Sequence, residues 1–159
     1  MIMKQPTDRR TLLMGGMAAL LAPAVARSQT TDWKALSDAE WKRRLPAAAY
    51  RVLRHEDTEY AGTSPLLKEH RKGTYVCAGC ALPLFRSEWK YESGTGWPSF
   101  YTAIKGALET KIDFGIGVPR KEYHCVRCGG HQGHVFPDGP RPTGLRYCNN
   151  GVALKFMPA

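Results

Sequence analysis

The sequence lacks an apolar run long enough for a membrane-spanning helix. The stretch Leu12–Ala26 has fifteen residues, against the roughly 20 that a bilayer requires. It lacks an internal repeat, which excludes an array of stacked units. No long helical periodicity returns after Gly73, which argues against a helical bundle. Lys and Arg outnumber Asp and Glu by 23 to 14, giving a formal charge of +9. Yet no basic stripe is interleaved with aromatics, so the pattern expected of a nucleic-acid surface is missing. Cysteine is scarce, with five in 159 residues, too few for a disulfide-dense scaffold.

What is present suits one domain. The length and the 43% hydrophobic content, with four tryptophans, allow a packed core. Sixteen glycines and eleven prolines imply many turns and favour β structure with loops. Residues 1–26 form a unit apart. Arg9 and Arg10 precede the apolar run from Leu12 to Leu21, and Ala24-Val25-Ala26 follows, so this segment has the three parts of a cleavable export signal. Thr7-Asp8-Arg9-Arg10-Thr11-Leu12-Leu13 resembles a twin-arginine signal, with an ordinary secretory signal as the alternative. The expectation is cleavage after Ala26, residence in the periplasm and no membrane insertion afterwards.

Residues 27–36 read as a flexible leader, and 37–159 as the folded domain. Ser37-Asp38-Ala39-Glu40 is a capping box, and the helix it opens should stop at Pro46. Ala47–Arg54 reads as a second helix, and Gly62–Pro65 as a loop. From Gly73 onward short β-prone segments follow: Thr74–Val76, Ala107–Ile112, Glu122–Val126, Val135-Phe136 and Val152–Phe156. The fold class is mainly β with a short helical N-terminal segment.

Four cysteines form two CxxC pairs, Cys77/Cys80 and Cys125/Cys128, 44 residues apart. Each pair can bring two sulfurs from one tight turn to one ion, and two pairs complete a tetrahedral, closed, structural zinc site. Disulfides and a thioredoxin-like redox pair are the alternatives. The fifth, Cys148, stands alone. Were 145–150 a strand, Arg146, Cys148 and Asn150 would share one face. Arg146 would then favour the thiolate, and Asn150 could donate to an oxyanion. His131 and His134 suit acid–base work near neutrality. A buried, inert cysteine is the competing possibility.

The combination of Ser37–Trp41, Arg51–Arg54, both CxxC motifs, Ser93–Phe100, Gly129–Phe136, Asp138-Gly139-Pro140 and Arg146-Tyr147-Cys148 resembles the type B methionine sulfoxide reductases, which reduce the R epimer. The resemblance covers nearly all of the chain after the leader. It implies two antiparallel sheets, a structural four-cysteine zinc site away from the active site, and Cys148 as nucleophile. It implies that Trp97, with Phe136, receives the substrate and that Trp97 walls the ε-methyl group. His131 and His134 would assist proton delivery, with Asp138, Arg146 and Asn150 in support. Oxidised proteins bearing methionine-R-sulfoxide would be the substrates and a thioredoxin-like dithiol the reductant, with the enzyme a monomer that binds no nucleic acid. The chain departs from the pattern at Asn149-Asn150-Gly151, where many relatives have an aliphatic residue, Asn and Ser. It departs further at Thr95, where members with a resolving cysteine commonly place it, so a one-cysteine cycle closed by an external thiol is expected. A zinc-ribbon binding module and a cysteine hydrolase using Cys148 are the rival classes. The first leaves the export signal, the histidines and Cys148 without a purpose, and the second lacks a nucleophile-elbow signature.

Overall fold

The computed structural model describes residues 31–115 and 117–159. The expected export signal and its cleavage point lie outside the described residues. Within the expected 27–36 leader, residues 31–36 include a turn in which Asp32 accepts from the Lys34 and Ala35 amides, and Trp33 stacks on Trp41 at 5.9 Å.

Ser37 opens α1 (Asp38–Arg44) as a full capping box: its hydroxyl accepts from the Glu40 amide, and the Glu40 carboxylate accepts from the Ser37 amide at 2.8 Å. This satisfies two of the orphan donors at the helix start. The helix ends at Leu45 because Pro46 follows. Pro46 then caps α2 (Ala47–His55), which ends at Glu56 in the left-handed conformation. The two helices bury Trp41, Ala49, Val52 and Leu53.

Among the described residues, nine strands make two sheets, all pairings antiparallel. The smaller has the order β2 (Pro83–Arg86), β1 (Gly73–Cys77), β9 (Leu154–Pro158). The larger has the order β3 (Lys90–Tyr91), β4 (Ser99–Phe100), β8 (Arg146–Asn149), β7 (His131–Phe136), β6 (Arg120–Cys125), β5 (Leu108–Asp113). The sheets are joined by aromatics. Phe85 of β2 stacks on Phe100 of β4 at 4.2 Å, and Tyr75 of β1 meets the same ring edge-on at 5.0 Å. Tyr123 and Tyr147 extend the cluster. Such offset and edge-on pairs add roughly 0.5–1.5 kcal/mol each beyond their burial.

The mainly β class with a helical start is as expected. The differences are local. β7 begins at His131 rather than Val135, because pairing with β6 and β8 holds polar residues and Gly133 extended where propensity alone would not. β9 begins at Leu154, since Gly151–Ala153 is a single 3-10 turn. β2, β3 and β4, of four, two and two residues, are too short for a periodic signal. Pro65–Lys68, at the end of the expected loop, is a 3-10 turn capped by Ser64.

Candidate active site

Cys148 lies in β8 between β4 and β7, with Ser99 and His134 as its partners across the ladders. Strand alternation sorts its neighbours. Tyr147 points into the aromatic cluster, and Asn149 is buried, accepting from the Tyr123 hydroxyl at 2.9 Å. Cys148 points the other way, into a cavity of about 110 Å³ that Trp97, His134, Phe136, Arg120, Thr58 and Asn150 also line. Gly133 in β7 lets this happen, since a Cβ there would overlap the Cys148 carbonyl oxygen.

Burial pushes the Cys148 thiol above its ordinary value; the Arg146 charge and the polar groups of Thr95 and Arg146 pull against it without winning. Arg146 favours the thiolate, as its place in the sequence suggests, but desolvation is the larger effect. Arg146 forms a two-pronged pair with Asp138, at 2.9 and 2.8 Å, and its guanidinium lies 4.4 Å over the Phe136 ring. Arg146 is thus fixed beside the sulfur, whereas the largely exposed Asp138 touches Arg146 rather than the cavity.

Trp97 is oriented by a hydrogen bond from its indole nitrogen to the Glu59 carbonyl at 2.9 Å. The same Glu59 donates its amide to the Asn150 side-chain oxygen at 2.9 Å, and its carboxylate accepts from the Gly151 amide at 2.6 Å. The segment after α2 therefore clamps both sides of the cavity. The Asn150 nitrogen donates to the Gln132 carbonyl at 3.0 Å, so one of its two amide hydrogens is already used and a single one remains for a ligand.

The histidines are anchored to carboxylates. His131 is buried, with Nδ1 2.8 Å from Glu122 Oε1. His134 has Nε2 2.8 Å from Asp113 Oδ2, which also accepts from Arg120 at 2.6 Å. The rings meet edge-on at 5.5 Å. Burial, helped by Arg120 and His131 and opposed by Asp113, lowers the His134 value, which favours the neutral ring. His134 lines the cysteine cavity; His131 lines an adjoining polar one.

The other four cysteines are buried and unbridged, all four sulfurs lying within 4.8 Å of one another. Cys77 and Cys128 are 3.6 Å apart, and Cys80 and Cys125 3.5 Å. Four sulfurs at about 2.3 Å from one zinc would be about 3.8 Å apart, so the cluster can hold a metal ion with little adjustment. Gln132, fully buried, donates to the Cys77 sulfur at 3.4 Å.

Sequence reasoning brought Trp97, His134, Phe136, Cys148 and Asn150 to one cavity. It missed Thr58, Glu59, Asp113, Arg120 and Glu122. Ionisable residues at the borders of β-prone runs were the available signal for Asp113, just after Ala107–Ile112, and for Glu122, at the start of Glu122–Val126; nothing in the sequence marked Thr58 or Glu59.

Residues 45–158 match the family model described as the SelR domain. A protein of Leptospira interrogans serogroup Icterohaemorrhagiae serovar Lai named peptide methionine sulfoxide reductase MsrB is 55% identical over 122 residues, 76% of this chain and 93% of its own. One of the same name from Bradyrhizobium diazoefficiens is 48% identical over 135 residues, 84% of this chain and 97% of its own. The mitochondrial methionine-R-sulfoxide reductase B2 of Rattus norvegicus is 47% identical over 132 residues, 78% and 76% of the two chains. Likeness of this depth, along almost the whole described chain, means that the protein belongs to the SelR-domain family of methionine sulfoxide reductases.

Proposed function

We propose that this enzyme reduces the R epimer of methionine sulfoxide in exported proteins, with Cys148 as the nucleophile. The observation that carries this is a lone thiol sharing a small cavity with an oriented indole, a phenyl ring and a histidine. Cys148 sulfur attacks the sulfoxide sulfur, and the thiol proton passes to the oxygen, with His134 and His131 at hand to relay it. Methionine leaves and the oxygen stays as Cys148 sulfenic acid. Two equivalents of external thiol then yield the free thiol, one disulfide and water. Trp97 and Phe136 suit the methyl group and disfavour a polar oxygen, whose unpaired burial costs on the order of 1–3 kcal/mol; this selects one epimer.

Thr95 and the clustering of the other four cysteines support an external thiol as the reductant. A periplasmic thioredoxin-like dithiol is the proposed donor, the twin-arginine-type signal at 1–26 being what supports export of the 37–159 domain. Zinc is the metal proposed for Cys77, Cys80, Cys125 and Cys128; when bound it supplies structure, not chemistry. The test is reduction of separated R- and S-sulfoxide peptides with a dithiol. Wild type should turn over the R peptide only, and Cys148→Ser should lose at least about 1000-fold. Equal activity of the two proteins would end this assignment.

A further inference from the structure

The β5–β6 hairpin sends one carboxylate to each histidine, and the two reach opposite nitrogens. Glu122, 2% exposed, meets His131 at Nδ1; Asp113 meets His134 at Nε2. A carboxylate accepts hydrogen bonds and cannot donate them. Each nitrogen facing one must therefore carry the proton, which makes neutral His131 the Nδ1–H tautomer and neutral His134 the Nε2–H tautomer. The remaining nitrogen of His131, Nε2, has no hydrogen-bond partner among the described residues. Each carboxylate also has a cation: Lys111 lies 3.1 Å from Glu122 and is itself paired to Glu56, and Arg120 holds Asp113. Between the two pairs lies a polar cavity of about 250 Å³, which shares Thr58, Arg120 and His134 with the cysteine cavity. It has room for several water molecules.

We propose that Glu122 and Asp113 are positioning residues that lock His131 and His134 as opposite tautomers. Nε2 of His131 and Nδ1 of His134 are thereby left as the ring atoms that handle the proton during sulfoxide reduction. That proton-handling role rests on the function proposed above; the tautomers themselves do not. The logic is that of carboxylate–histidine pairs elsewhere: the partner fixes which nitrogen works and which way the ring faces. A carboxylate kept 2% exposed, with a histidine on one oxygen and a lysine on the other, is costly to bury unless both partners remain.

The experiment is long-range ¹H–¹⁵N correlation of the histidine rings of the whole protein at pH 8, with kinetics of variants. In wild type, His131 should show its proton on Nδ1 and His134 on Nε2; either ring with the opposite assignment overturns the proposal for that pair. Glu122→Gln should lose the single His131 tautomer and lower kcat roughly 10–100-fold with KM unchanged, and Glu122→Asp should restore part of it. Full kcat in Glu122→Gln, or a lowered kcat with the tautomer intact, would refute it. A variant that fails to fold leaves the wild-type spectra to decide. A wild type with clean tautomers and no sulfoxide reduction would instead reject the proposed function alone.

Discussion

At the scale of single residues, the chemistry turns on how Cys148 ionises. Burial favours its neutral form more than Arg146 and Thr95 favour the thiolate, so the folded value is above the unfolded one. The sign follows: the neutral buried thiol stabilises the fold below the unfolded value, near 8.5, and that contribution is lost as pH rises beyond it. In the free enzyme the 240 nm thiolate absorbance, taken as wild type minus Cys148→Ser with the metal bound, should therefore titrate with a midpoint above about 8.5. Arg146→Met should move it higher still. A midpoint below 7 would show the guanidinium outweighing desolvation. His134 follows the same rule: burial lowers its value against the pull of Asp113.

At the scale of elements, β7 and β8 approach so closely that only glycine fits at position 133, opposite Asn149 and against the nucleophile's own carbonyl. A methyl on Gly133 would meet the Cys148 carbonyl, and β8 cannot retreat because β4 holds its other edge. Gly133→Ala should cost about 1–3 kcal/mol in urea denaturation and lower activity further, by displacing Cys148 from Trp97. Unchanged stability would mean that β8 gives way freely. This requirement was half legible: Gly133 stands out within the His131–Phe136 run, but which backbone approaches it depends on the register with a later strand. α1 was fully legible, because a capping box is satisfied within four residues.

At the scale of the molecule, the tetrathiol cluster joins the two sheets. One knuckle follows β1 in the smaller sheet and the other follows β6 in the larger. Gln132 continues the link, touching the Cys77 sulfur with its side chain and holding Asn150 with its carbonyl. Stripping the proposed zinc with a strong chelator should lower the melting temperature by more than about 10 °C and reduce activity as Asn150 loosens. One zinc released per chain, by a colorimetric assay, checks the stoichiometry; an unaffected melt would deny the metal its structural part.

The sequence by itself determined what short-range physics can settle. Two helices bounded by a capping box and a proline, a β-rich remainder, two metal-competent turns and a solitary cysteine all follow from residues close together in the chain. Only the tertiary structure decided which distant groups face the thiol. Glu59, Asp113, Arg120 and Glu122 come to the site through strand register and the return of the segment after α2. Register is fixed by the burial of Tyr75, Phe85, Phe100 and Tyr123 between sheets. Whether Arg146 or burial governs Cys148 was likewise beyond the sequence, because desolvation depends on everything packed around the sulfur and not on its neighbours in the chain.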